Sequence, residues 1–413
     1  LQDVIKNDTG AAPFQPAMAS KEYDAPDDVF DREANPYPTG ALTLHMLREK
    51  LGDDVFFHGL REYVQKHKLQ QVETFQFREA MERAGGVSLQ RFFDQWAFRP
   101  LVPHVRVSSS WDSASSSLNV AFEQLQTIDG YNPAFDLRVP VWVRGAGKSE
   151  WTKIAATFDV RTYTLATQLS SEPEMIVIDP KLTVLADFDV AQDSGAWARQ
   201  LASGPTLGSR LRAAKALGRA GGTEADAAAL ATVVRDDRAN RQLRVAAAGS
   251  LGTIGQNAAR TLRTLLDTKF VSAPVRSTVV EHAAEAARGA DAALKSEVAG
   301  ALTRVYASDQ SYGVRAAAIR GLGSLKNEQS WPTIVSALDA DSQHDQIRRA
   351  AVAALADMDR TDALPLVLRR TAPGNSSNLR PEAAAALVKL AHHDPDRVFN
   401  LLAALLEDRE PKT

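Results

Sequence analysis

An apolar residue followed by arginine recurs through the second half of this chain at a nearly fixed interval, and that period constrains the fold more than any other feature. The pairs are Leu211-Arg212, Leu243-Arg244, Val275-Arg276, Val314-Arg315, Ile347-Arg348 and Leu379-Arg380, with successive spacings of 32, 32, 39, 33 and 32 residues. Each opens an Ala- and Leu-rich helical stretch such as VRAAAIRGLGSL, followed by a turn and a second stretch such as SWPTIVSAL. Two short helices cannot bury their apolar faces alone, so such a period predicts units stacked into a solenoid. Alanine lets paired helices approach closely. Gly218, Gly252 and Gly323 fall where the first helix of a unit is expected to stop, which assigns them to packing and capping.

The two-helix layout resembles HEAT repeats. Upstream of it the period changes twice. Between about Val102 and Val190 apolar residues alternate with polar ones, as in Leu118, Val120 and Phe122, and again in Phe135, Leu137, Val139, Val141 and Val143. Alternation of this kind predicts strands with one buried face, here an antiparallel β-sandwich of the usual size. Pro140, which has no N–H to give a ladder, suits an edge strand.

From Tyr37 to about Arg99 the pattern is helical. One helix is expected over Gly40–Lys50, stopped by Gly52, and another from Asp54 to His67. Thr74 is the expected N-cap of a third, closed by Gly85-Gly86, and Ser88 that of a fourth carrying Leu89, Phe92, Phe93 and Trp96 on one face. The fold class is therefore multidomain α+β. The expected divisions are a helical part over 1–101, the sandwich over 102–192 and the repeats over 193–413.

Composition removes several function classes. The 48 Lys and Arg nearly balance 51 Asp and Glu, and a net charge of −3 offers no basic footprint for nucleic acid. The chain has no Cys, which excludes thiolate metal sites and cysteine nucleophiles. No apolar run is long enough to span a bilayer. The first residues, LQDVIKNDTG, have neither an initiator Met nor a signal-like stretch, so an internal start is expected and the compartment is left open.

Chemistry concentrates in NPYPTGALTLHMLREKLGDDVFFHGLREYV and, further on, FFDQWAFRPLVPHVRV. Tyr37-Pro38-Thr39-Gly40, Met46-Leu47-Arg48, Leu51-Gly52 and Gln95-Trp96 resemble the aminopeptidase N family, and Phe135-Asp136-Leu137 and Ile178-Asp179-Pro180 extend the resemblance into the sandwich. The resemblance implies the helical end of a thermolysin-like gluzincin catalytic domain, zinc as cofactor and peptides as substrates. It also implies a catalytic role for Tyr37, whose hydroxyl stabilises the oxyanion of the tetrahedral intermediate, beside domains that enclose the cleft. Where the family commonly has Glu-Lys between Tyr and Gly, this chain has Pro38-Thr39, so the local substrate contacts differ.

The metal ligands are missing. The histidines are His45, His58, His67, His104, His282, His344, His392 and His393, and no two stand at the i, i+4 spacing of HExxH. The family places these ligands upstream of the tyrosine, so they are expected on an N-terminal part, on the same polypeptide or as a separate chain. This chain alone is expected to be inactive. His392-His393 reads as a solvated pair, because adjacent residues diverge on a helix. The alternative function is a non-catalytic HEAT-repeat scaffold with a degenerate peptidase-like region, separated from the enzyme by whether HExxH exists upstream.

Overall fold

The computed structural model describes residues 36–407 apart from 101, 131 and 220, together with 17–20, 24–25 and 27–28. By compactness the chain divides into two units, 1–196 and 197–413.

The first unit opens with α1 (Pro36–Leu51), α2 (Asp53–His67), α3 (Thr74–Gly85) and α4 (Gln90–Trp96). Helix α1 starts earlier than the expected Gly40 because Pro36 and Pro38 occupy its first turn, where a backbone N–H has no intrahelical acceptor and proline is tolerated. Gly52, with φ 81°, ends it as anticipated. Thr74 is the first helical residue of α3 rather than its cap. Glu73 holds that position, its N–H donating to Gln76 Oε1 at 2.6 Å. Leu89, not Ser88, stands at the cap of α4. Leu47, Phe56, Met81, Leu89, Phe93 and Ala97 form the helical core.

The strands are β1 (His104–Asp112), β2 (Ser117–Gln124), β3 (Leu137–Gly145), β4 (Thr152–Phe158), β5 (Thr162–Gln168), β6 (Pro173–Ile178) and β7 (Asp187–Val190). They form one sheet in the order β5-β2-β1-β7 and another in the order β4-β3-β6. The alternating residues face inward: Leu118, Val120, Phe122, Phe135 and Leu137 are all buried, and the Phe122 and Phe158 rings meet between the sheets at 5.3 Å. Burying each Phe contributes roughly 1.5–3 kcal/mol.

Two details depart from expectation. Strand β7 joins β1 in parallel, so the sandwich is antiparallel except at that edge. Pro140 lies in β3, the central strand of its sheet, rather than at an edge. The N and O of one strand residue face the same side, and the Pro140 carbonyl accepts from Asp179 N at 2.7 Å, where Asp179, at φ 42°, has already turned out of the β6 ladder. The donor that proline lacks is one for which β6 has no acceptor left.

Most of α5 (Ser194–Ser203), including its buried Trp197 and Leu201, belongs to the second unit, and the repeat helices follow. First helices are α6 (Leu207–Leu217), α8 (Arg241–Ile254), α10 (Ala273–Ala287), α12 (Tyr312–Leu325), α14 (Gln346–Met358) and α16 (Leu379–Leu390). Second helices are α7 (Glu224–Arg235), α9 (Ala259–Leu265), α11 (Ala292–Ser308), α13 (Trp331–Ala337), α15 (Ala363–Leu368) and α17 (Pro395–Leu405). Each first helix packs on the next first helix along the array. No helix of the described residues is long and apolar enough to cross a membrane.

The structure explains the repeated arginine. Arg244 Nε donates to Val234 O, Arg315 Nε to Tyr306 O and Arg380 Nε to Thr371 O, each at 3.0 Å. These carbonyls lie at or just past the C-terminal end of the preceding helix, where they have no intrahelical donor. In the first repeat the same bond is made by Arg210, to Leu201 O at 2.8 Å, so the structural register there starts two residues before the Leu211-Arg212 pair.

Arg276 adds an ion pair, its Nε and Nη2 donating to Asp309 at 2.6 and 3.0 Å. Burial pushes the Asp309 carboxyl up, but the Arg276 hydrogen bonds and the Ser311 N–H outweigh it and hold the carboxyl below its ordinary value. A depressed folded-state value gives stability that is complete above the unfolded-state value and lost as pH falls through the folded one. Between about pH 5 and pH 2, wild type is therefore expected to lose stability more steeply than Asp309→Asn. Urea midpoints across that range check it, and parallel curves would refute the assignment.

Candidate functional site

Tyr37 stands in the first turn of α1 between two prolines, with its side chain 74% exposed. The ring does not enter the helical core. The opposite face of α1 is anchored instead: Thr39, Thr43, Met46 and Leu47 are buried, and Thr43 Oγ1 donates to Thr39 O at 3.0 Å. The Pro38-Thr39 departure thus puts one residue on the first turn and the other against the interior.

The remaining motif residues build joints. Arg48 donates through Nε and Nη2 to Asp53 at 2.8 and 2.7 Å, closing the Leu51-Gly52 corner. That hydrogen bond raises the guanidinium's already high pKa and lowers that of the Asp53 carboxyl. Both groups face solvent, so the pair orients the corner more than it stabilises the fold. Gln95 pairs its amide with the backbone of Asp136, Nε2 donating to the carbonyl at 3.1 Å and Oε1 accepting from the N–H at 2.8 Å. Trp96 packs on Phe135 with ring centroids 5.6 Å apart, and Arg99 covers that Phe from 3.8 Å. Gln-Trp and Phe-Asp-Leu are therefore two halves of one clamp between α4 and the start of β3.

Beside the clamp lies a cavity of about 640 Å³ whose walls include Met46, Glu49, Arg91, Gln95, Trp96 and Lys153. Arg91 is held there by Asp159 at 3.0 Å and Asp136 at 3.7 Å, and the hydrogen bond to Asp159 raises its pKa. Tyr37 is not among the lining residues.

A zinc centre of the aminopeptidase kind needs two His and a Glu converging on one ion. Among the described residues of the first unit no three His, Asp or Glu side chains bring ligand atoms together, and His58 sits against Glu62 at 3.5 Å. The residues present do not fit that group. The described residues do contain one such cluster elsewhere, Asp359 with His392 and His393. The two side chains do not diverge as helical neighbours would: at the end of the short turn Ala391–His393 the imidazole centroids lie 4.0 Å apart.

Residues 2–96 match the Peptidase family M1 domain, and residues 299–388 match HEAT repeats. The chain is thus similar to the M1 peptidase domain over its first 96 residues and to HEAT repeats near its other end, the two likenesses its sequence suggests. Aminopeptidase N of Lactococcus lactis subsp. lactis is 34% identical over 87 residues, covering 20% of this chain and 10% of that protein. Aminopeptidase 2 of Candida albicans (strain SC5314 / ATCC MYA-2876) is 31% identical over 107 residues, covering 26% and 11%. The matched segments thus span about a tenth of these curated relatives. Among solved structures, Legionella pneumophila aminopeptidase A in complex with aspartic acid aligns over 97% of this chain and 53% of its own, with 12% identity and a TM-score of 0.49.

Proposed function

We propose that this chain is the C-terminal segment of a zinc-dependent aminopeptidase that removes N-terminal residues from peptides. Tyr37 is its catalytic residue: the phenol donates its proton in a hydrogen bond to the substrate carbonyl oxygen as negative charge develops there. The zinc ligands lie on sequence outside this chain, on the same polypeptide or on a separate N-terminal chain. Residues 1–101 form the end of the catalytic domain, and the sandwich of 102–192 and the repeats of 193–413 are accessory domains. The observation that carries this reading is the exposure of Tyr37 at the head of α1, within the M1-matched segment.

The test is hydrolysis of aminoacyl 4-nitroanilides by the full-length protein, with N-acetylated substrates as controls. Cleavage is expected only where the amine is free, with loss on chelation, recovery with zinc, and none from the 413-residue chain alone. A folded, zinc-loaded full-length protein that cleaves neither substrate would sink the enzyme reading in favour of a HEAT-repeat scaffold.

A further inference from the structure

Two successive repeats bring three ligand groups to one point. Asp359 follows α14 in the left-handed region, at φ 55°, with its N–H donating to Leu355 O at 3.3 Å. The equivalent cap is Gly255 after α8 and Lys326 after α12. After α14 it is a carboxylate, turned toward the next repeat. There, in the 3₁₀ turn following α16, His392 Nε2 and His393 Nε2 each stand 3.2 Å from Asp359 Oδ1.

The outer nitrogens are engaged. His392 Nδ1 lies 3.2 Å from Lys389 O, and His393 Nδ1 lies 3.4 Å from Thr361 Oγ1. A carbonyl oxygen can only accept, so His392 carries its proton on Nδ1, and in the neutral ring Nε2 then presents a lone pair. That lone pair faces a carboxylate oxygen, which is also an acceptor. Such an arrangement is favourable when a cation lies between them, a proton or a metal ion. Outer contacts of this kind fix the ring and tautomer of metal-bound histidines. Two ligand atoms each about 2.0–2.1 Å from a shared ion stand roughly 2.9–3.4 Å apart at bond angles between square and tetrahedral, and the observed 3.2 Å lies inside that span.

We propose that Asp359, His392 and His393 bind a borderline divalent transition-metal ion such as Zn²⁺, with water completing the coordination. Two imidazoles select this class over Mg²⁺ or Ca²⁺, which take oxygen ligands. His392 and Asp359 are partly exposed, so the ion reaches the site from solvent. Once bound, it ties the end of α14 to the end of α16, coupling the last repeat to the one before it.

The test uses the untagged 413-residue chain, stripped with a chelator, at about pH 8, where free imidazole is neutral. ZnCl₂ is titrated by calorimetry and CoCl₂ by visible absorption, with MgCl₂ as the comparison. The expected result is saturation at one Zn²⁺ or Co²⁺ per chain, none with Mg²⁺, and a rise in melting temperature with Zn²⁺. Asp359→Asn preserves a residue that tolerates the left-handed cap, and His392→Gln changes an exposed side chain, so both variants should fold as wild type does. Each is expected to weaken Zn²⁺ binding by at least about tenfold. No saturable Zn²⁺ binding, or binding unchanged in both folded variants, overturns the proposal.

Discussion

Tyr37→Phe, made in the full-length protein, is expected to lower kcat for aminoacyl amide hydrolysis by about a hundred- to a thousandfold, the effect of losing one donor to a developing oxyanion. The ring of Tyr37 is largely exposed and belongs to no core, so removing one hydroxyl should change folding stability by no more than about 1.5 kcal/mol, the upper end of what one hydrogen bond contributes. That contrast makes the experiment informative: a donor used only in the transition state alters kcat and kcat/KM together, while a packing role alters the melting temperature. KM should move little. Turnover equal to wild type, in a variant with an unchanged melting curve, removes Tyr37 from the chemistry.

The second large effect belongs to the repeats. Gly323→Val is expected to destabilise residues 197–413 by about 3 kcal/mol, at the upper end of the range for overpacking. A Cβ at this position would stand 2.5 Å from the Cα of Ala354 and 2.8 Å from its carbonyl oxygen. The obstacle is the backbone of α14, which has no rotamer to adopt. Helix propensity opposes the loss only weakly, since valine is better than glycine by a few tenths of a kcal/mol. Gly300→Ala is the matched control. It lies on an exposed face of α11, its nearest neighbour is Arg304 Nη1 at 3.8 Å, and the substitution should stabilise by about 0.5–1 kcal/mol. Thermal unfolding of the two variants decides; a Gly323→Val melt that overlays wild type would show that α12 and α14 do not pack as closely as described.

Much of this fold was legible because it is periodic. Three-and-four spacing located α1 to α4 to within a few residues, and alternation marked the inward faces of β2 and β3. The repeat arginines announced the solenoid, although spacing alone does not distinguish Arg212 from Arg210, since both precede helical text and only the carbonyl of Leu201 selects between them. The glycines were half legible. Gly252 and Gly323 lie inside α8 and α12 and serve close approach, to His282 and Ala354, instead of ending the helices. Gly218 does stand at a helix end, but at φ −78° and against Ser250, so there too packing is the requirement.

What could not be read depends on residues far apart in sequence. Pro140 is admissible in a central strand only because Asp179 has left the neighbouring ladder, and the parallel pairing of β7 is a tertiary fact. Gln95-Trp96 was visible as a motif, whereas its partner, the Asp136 backbone, was not. The apposition of Asp359 with His392 and His393 arises from stacking one repeat on the next, and helical geometry applied to the sequence alone argued against it. For Tyr37 the sequence supplied both the residue and its role by resemblance, and the structure adds only its exposure.

The two bonds between Gln95 and the Asp136 main chain carry a practical consequence for anyone wishing to shorten this protein. Cutting between the helices and the strands, where the sequence changes character, would strip an indole of its aromatic cover and leave a glutamine side chain facing water in place of a peptide group. Residues 36 to 196 should be expressed as one cassette, and pieces ending near residue 100 should be poorly soluble.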